Sequence, residues 1–229
     1  MKPLLDLLPQ LSLNPWFNAL PLRDQKRMVG EAERVFLQPG EMLFRQGDAP
    51  RGLYALVNGK LKMSTLTVDG KEAILVVLES GTWFGEISLI DHLPRTHDAT
   101  ALSAAEILIL PQTVFDQLMQ RSAFSQAIAA LLAARIRMLY GIVEDATLRT
   151  TRARIARRLL LLAHGDATMA RDGRAEVPVS QESLAMMLGI SRQTLSKELK
   201  LLVQKNILRL GYRCIAIISE SKLKRYGEA

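Results

Sequence analysis

The chain has 229 residues, 48% hydrophobic and 23% charged, with a formal charge of +7 and a single cysteine. That length accommodates two domains with separate cores, and the composition excludes a disordered chain. One cysteine, Cys214, excludes an intrachain disulfide and any multi-cysteine zinc or iron–sulfur site.

The N-terminus, broken by Pro3, Asp6 and Pro9, lacks the shape of a signal peptide. No unbroken apolar run reaches the 18 or so residues of a membrane span, so the expected setting is reducing and cytoplasmic with no membrane partner. Residues 4–36 read as short helical pieces, one starting at Asn14-Pro15-Trp16 and another running from Pro21 to Phe36.

From Phe36 to Leu110 short β-type runs alternate with turns at Gly40, Gly47, Gly52, Gly59, Gly70, Gly81 and Gly85. The expected strands are Met42 to Arg45, Leu53 to Val57, Lys60 to Leu66, Ala73 to Leu78, Ala99 to Leu102 and Ala105 to Leu110. Many short strands with such turns indicate an antiparallel barrel or jelly roll, interrupted by a helical piece only around Glu86–Leu89.

Pro111 ends the sheet, a helical pattern starts at Thr113, and from about Ser122 to Thr147 it is uninterrupted. Ile128, Leu132, Arg135, Leu139, Ile142 and Ala146 step by four and three, a coiled-coil stripe with one polar intruder. A symmetric homodimer is the natural way to bury it.

Arg149 to Ala163 reads as a helix with Ile155, Leu159 and Leu162 inside and Arg152, Arg157 and Arg158 outside. A loop with Gly165, Asp166 and Gly173 and a short strand at Glu176-Val177-Pro178-Val179 follow. Ser180 can then cap a helix whose Leu184, Ala185 and Leu188 face inward, ending at Gly189. Ser191 can cap the next, whose Leu195, Leu199 and Leu202 fall at i, i+4, i+7. That leaves Arg192, Gln193, Ser196, Lys197 and Lys200 outward. This is the spacing of a helix-turn-helix, whose second helix enters the DNA major groove. Ile207 to Leu210 and Cys214 to Ile218 are strands of a wing-like hairpin around Gly211, Cys214 a small buried hydrophobe, and Ser219 to Tyr226 a closing helical turn.

The charge is distributed to match. From Arg149 onward 16 Lys and Arg stand against 7 Asp and Glu, while the first 148 residues hold 14 against 16. A polyanion such as duplex DNA is the expected partner of the C-terminal third.

The tokens Pro39-Gly40-Glu41, Gln46-Gly47-Asp48, Leu53-Tyr54-Ala55-Leu56, Trp83-Phe84-Gly85-Glu86-Ile87-Ser88-Leu89, Pro94-Arg95-Thr96 and Ile190-Ser191-Arg192-Gln193-Thr194 stand in this order. In that arrangement the chain resembles the cyclic-AMP receptor protein / fumarate-nitrate regulator (CRP/FNR) family from about Trp16 to its end. The resemblance implies an α+β protein: an N-terminal antiparallel β-roll (a cyclic-nucleotide-binding-like jelly roll), a long dimerisation helix and a C-terminal winged helix-turn-helix. The corresponding domains are 1–112, 113–148 and 149–229. It further implies a homodimeric transcriptional regulator, not an enzyme, that binds a palindromic operator in double-stranded DNA, with RNA polymerase as a further partner.

The resemblance also assigns residues. Gly85, Glu86, Ile87, Ser88, Arg95 and Thr96 match a phosphate-binding cassette, in which Arg95 pairs with phosphate, Thr96 donates and Glu86 accepts from a ribose hydroxyl. A pairing of Arg95 with Glu86 is the structural alternative. The two hydroxyl positions that cyclic-AMP binders present from the long helix fall on Leu139 and Tyr140. Leu139 cannot hydrogen-bond adenine, which argues against cyclic AMP and leaves a cyclic dinucleotide or a vestigial pocket. On the DNA side Arg192 matches a guanine contact, Gln193 an adenine contact and Lys197 a guanine or phosphate contact. Ser180, Ser191 and Thr194 match phosphate contacts.

Two other classes stay open: a ligand-independent DNA-binding regulator, and a cupin-like small-molecule-binding protein. The cupin reading needs a His/Glu metal set, and His92, His97 and His164 have no such spacing. His97-Asp98 is a candidate pH-sensitive pair or a satisfied loop pair.

Overall fold

The computed structural model describes residues 3–70, 72–164 and 175–228. The chain forms two compact units whose boundary falls between Arg135 and Ile136, inside one continuous helix.

The first unit opens with a 3-10 turn, Leu4–Leu7, and three short helices, α1 (Leu8–Leu11), α2 (Pro15–Asn18) and α3 (Leu22–Gly30). Asn14 caps α2 by accepting from the Trp16 amide at 2.9 Å, with Pro15 preset in the first turn. The helix expected to run to Phe36 ends at Gly30. Val35-Phe36-Leu37 belongs instead to β1 (Glu33–Leu37), because it finds a ladder partner that an isolated helix lacks. Seven strands follow: β2 (Met42–Phe44), β3 (Gly52–Asn58), β4 (Lys60–Leu66), β5 (Glu72–Glu79), β6 (Trp83–Phe84), β7 (Asp98–Ala101) and β8 (Ala105–Pro111). They form two four-stranded antiparallel sheets, β1-β8-β3-β6 and β2-β7-β4-β5. The sequence reading omits β1 and the two-residue β6, and places the other six within one or two residues.

Strand β3 shows why both sheet faces are covered. Its residues Gly52 to Val57 are all buried. Tyr54 and Leu56 face the roll interior with Leu61, Met63, Phe84, Ile107 and Ile109. Leu53, Ala55 and Val57 face a second core made with the N-terminal helices and the start of the long helix. Alternation of side chains along a strand feeds the two cores.

The helix α4 (Ile87–Asp91) sits between β6 and β7, α5 (Gln112–Met119) follows β8, and α6 (Ser122–Leu148) is the long helix. Trp16 donates from Nε1 to the Ala127 carbonyl at 2.8 Å, and Phe17 stacks on Trp83 at 4.9 Å, locking α2 and α6 to the roll. By length and composition alone α6 is apolar enough to cross a membrane, although it is not one unbroken apolar run. Arg135 and Arg137 interrupt its run without removing its apolar character. Arg135 also leaves the coiled-coil stripe: its guanidinium turns onto the roll, donating to the Trp83 carbonyl at 2.6 Å and pairing with Glu86. The exposed apolar stripe beyond it comprises Ile136, Leu139 and Val143, at 50%, 54% and 60% exposure.

The second unit takes in α6 from Ile136 onward and holds α7 (Thr151–Ala163), β9 (Glu176–Val177), α8 (Gln181–Leu188), α9 (Arg192–Gln204), β10 (Leu208–Gly211), β11 (Cys214–Ile217) and α10 (Glu220–Glu228). Its sheet runs β10-β11-β9, antiparallel throughout. The core joins Ile155 and Leu159 to Leu184, Leu188, Leu195, Leu199, Leu202 and Ile215. Arg158, expected outside, is buried, while α10 packs on the Ala153, Ala156 and Arg157 face of α7. Cys214 is only half-buried, since it lies at the hairpin end of β11. The closing turn is a nine-residue helix. The expected loop at Gly165, Asp166 and Gly173 lies outside the described residues.

Candidate nucleic-acid interface and effector site

The geometry of the helix-turn-helix follows from its caps. Ser180 Oγ accepts from the Ser183 amide at 3.0 Å and starts α8, while Gly189 leaves it at φ 64°, a left-handed conformation that favours glycine. Ser191 Oγ accepts from the Thr194 amide at 3.1 Å and starts α9. Burial of Leu195, Leu199 and Leu202 then forces the opposite face outward. On that face Arg192, Gln193, Ser196, Lys197 and Lys200 line one open concave surface. Ser191 and Thr194, with hydroxyls 2.8 Å apart, flank its N-terminal end. Ser180 is half-buried at the start of the other helix, its hydroxyl 2.9 Å from that of Ser183.

Four residues to which sequence reasoning gave no site role, Arg152, Arg154, Glu198 and Tyr226, hold this helix pair in place. Arg154 donates to the Leu188 carbonyl at 2.6 Å, satisfying an orphan acceptor at the end of α8. Glu198, the acidic residue of α9, turns away from the basic face to accept from Arg152 Nε at 3.1 Å and from the Tyr226 hydroxyl at 3.4 Å. Arg152 lies 5.2 Å over the Tyr226 ring, and the Glu198 carboxylate raises its guanidinium above the ordinary value. The signal was an acidic residue inside an otherwise basic helix, whose partner 46 positions away only the fold reveals.

In the roll, Gly85 takes φ 91°, and a Cβ there would stand 2.8 Å from the Tyr54 ring and 3.0 Å from Arg95 Nη1. Arg95 is 4% exposed, with its guanidinium 4.7 Å from the Phe44 ring and 5.0 Å from the Tyr54 ring. Its Nη1 donates to the Gly85 carbonyl at 2.8 Å and its Nη2 to the Gly52 carbonyl at 3.0 Å. Glu86 is 1% exposed and pairs with Arg135 rather than Arg95, leaving its Oε2 without a hydrogen-bond partner. Ser88 is buried, its hydroxyl donating to the Pro94 carbonyl at 3.3 Å, and Ile87 is exposed. Thr96 is exposed, its Oγ1 2.7 Å from His97 Nδ1. Burial lowers the His97 ring from its ordinary value, with Arg95 acting in the same direction and Glu86 and Asp98 opposing. The roll thus gathers Gly85, Glu86, Arg95, Ser88 and Thr96 around one loop pair. Tyr140 belongs to the second unit and is 72% exposed.

Comparison with known proteins matches both regions. Residues 34–122 match the family "Cyclic nucleotide-binding domain", and residues 153–226 match the "Crp-like helix-turn-helix domain". Over 200 residues the chain is 30% identical to the Cyclic AMP receptor protein of Thermus thermophilus, covering 86% of this chain and 89% of that one. The chain belongs to the CRP/FNR family of transcriptional regulators. A CRP-like cAMP-activated global transcriptional regulator of Mycobacterium tuberculosis is 27% identical over the same coverage. FixK2 from Bradyrhizobium japonicum shares the fold, with a TM-score of 0.76, 18% identity and coverage of 86% of this chain and 98% of that one.

This CRP/FNR regulator therefore combines a DNA-binding helix-turn-helix with an effector domain of the cyclic-nucleotide-binding type. Its fold is the expected α+β arrangement of antiparallel roll, long helix and winged helix-turn-helix.

Proposed function

We propose that the regulator acts in the cytoplasm as a homodimer on a palindromic operator, with half-sites about one helical turn, roughly 34 Å, apart. The observation that supports this reading best is the shared surface of Arg192, Gln193, Ser196, Lys197 and Lys200, from which the acidic Glu198 is drawn away. Arg192 reads guanine, Gln193 adenine, and Lys197 guanine or phosphate, while Ser180, Ser191, Thr194, Ser196 and Lys200 set register on the backbone. RNA polymerase is the partner through which such binding affects transcription.

We further propose that a nucleotide phosphate binds at Gly85–Ser88, Arg95 and Thr96. Supporting this is the buried guanidinium of Arg95, whose Nε has no hydrogen-bond partner. An effector hydroxyl engaging Glu86 competes with Arg135, and a ligand that binds two states of that pair differently shifts α6. Relatives are named for cyclic AMP. Leu139 offers adenine no hydrogen bond, which favours another nucleotide, such as a cyclic dinucleotide.

A second reading, constitutive binding with a vestigial pocket, has its own support: Glu86 is already paired and Arg95 already engaged. Calorimetry against a nucleotide panel, followed by operator anisotropy with and without each binder, separates the two. A protein that binds no nucleotide and holds its operator unchanged is constitutive.

A further inference from the structure

The hydroxyl of Thr96 is not independent. Its Oγ1 lies 2.7 Å from His97 Nδ1, and which atom donates depends on the tautomer and charge of the ring: Nδ1 accepts in the neutral Nε2–H form and donates once the ring is protonated. The segment that carries both residues is clamped to the neighbouring strap. The Gly47 amide donates to the Arg95 carbonyl and the Arg95 amide to the Asp48 carbonyl, both at 2.8 Å. The Gln46 amide donates to Asp98 Oδ1, also at 2.8 Å. Thr96 and His97 are therefore held in register while the Thr96 side chain stays exposed.

A hydroxyl carries one proton. With neutral His97 accepting at Nδ1, that proton points into the ring and Thr96 shows an approaching anion only lone pairs. With Nδ1 protonated, the ring donates to Oγ1 and the Thr96 proton is free to point outward. An imidazolium adds a positive charge beside the same anion. We propose that His97 is the positioning residue for Thr96, and that a proton taken from solvent onto its ring strengthens capture of a phosphodiester at Thr96.

The charged groups around His97 are Glu86, Arg95 and Asp98, with Arg135 paired to Glu86 and the strap contributing Arg45 and Asp48. Burial lowers the pKa of the free ring from the usual histidine value, with Arg95 helping and Glu86 and Asp98 opposing. A bound anion favours the charged ring and raises its pKa. Binding therefore takes up a proton between the free and bound values, and affinity rises as pH falls through that window.

The inference rests on the effector reading of Arg95 and Thr96, and the test separates the two. Full-length protein is titrated by calorimetry with cyclic AMP, cyclic GMP and cyclic di-GMP from pH 5.5 to 8, in buffers of different ionisation heat. Their phosphodiesters keep a constant charge over that range. The expected result is tightening toward acid pH, up to about tenfold per pH unit for one proton, with measurable proton uptake. His97→Asn, whose amide can donate to Thr96 in place of Nδ1–H, should bind with no pH slope and no uptake. His97→Gln should also lose the slope, and Thr96→Val should lose both affinity and uptake. A wild-type affinity that is flat with pH overturns the proposal, as does a slope that survives His97→Asn or Thr96→Val. Should a variant misfold, proton uptake by the wild type alone decides. Absence of binding by all three nucleotides at every pH overturns the effector reading itself, and this inference with it.

Discussion

Arg135 of α6 is the cation that neutralises Glu86 of the roll, at a carboxylate only 1% exposed. Breaking a buried pair leaves an uncompensated charge, which costs far more than the pair contributes. Arg135→Ala should destabilise the first unit by about 3 kcal/mol, the low end of the buried-pair range because the arginine keeps some solvent contact. Both tryptophans, Trp16 and Trp83, are buried in this unit, so urea unfolding followed by their fluorescence reports on it alone. Glu86→Gln, which keeps an acceptor for Arg135, should cost clearly less. Equal costs would remove the argument from buried charge.

Gly85 is required twice over, by its φ of 91° and by the 2.8 Å approach of the Tyr54 ring to any Cβ. Gly85→Ala should cost about 1–3 kcal/mol of stability from the backbone alone. It should also displace Arg95, whose Nη1 donates to the Gly85 carbonyl, and so abolish nucleotide binding by calorimetry. An alanine variant with unchanged stability would mean that the turn relaxes freely.

Much of this was legible from the sequence because local rules and tertiary packing agree there. Ser180, Gly189 and Ser191 cap or end the helices they flank, and the inward leucines of α9 are buried at their predicted spacing. The misses are places where a distant partner decides. Val35-Phe36-Leu37 is ambiguous until β8 pairs with it, and Arg135 steps like a coiled-coil residue until Glu86 captures it. Arg158 is grouped with its arginine neighbours as outward, yet it is buried while Arg152 stays exposed. Periodicity assigns a face to a residue, but not what covers that face.

On the DNA side the proposed base readers and phosphate clamps of α9 should respond differently to substitution. Arg192→Ala should cost about 1–3 kcal/mol at one base pair in each half-site and relax preference there. Lys200→Ala should weaken all duplexes alike and lower the salt slope by about one. Gln193→Glu should move preference from adenine toward cytosine at one position, since a carboxylate accepts from the cytosine amino group. Fluorescence anisotropy over a set of single-substituted operators, at several salt concentrations, measures all three. Equal loss on every sequence for Arg192→Ala would make it a phosphate contact.

The exposed stripe Ile136, Leu139 and Val143 steps by three and four along α6, the repeat of a helix pair. Burying a side chain of this size contributes about 1.5–3 kcal/mol, and a two-fold axis counts each residue twice. A charge placed in such a seam costs more still, because carboxylates from both copies approach each other without counter-ions. Ile136→Asp with Val143→Asp should therefore convert dimer to monomer by sedimentation velocity at micromolar concentration, with the thermal transition of the second unit preserved. Operator affinity should fall with it, since a palindrome then meets one reading helix at a time. Lys200→Ala, on the exposed basic face of α9, should leave the sedimentation coefficient unchanged. A double-aspartate variant that still sediments as a dimer would move the seam to another face of the molecule.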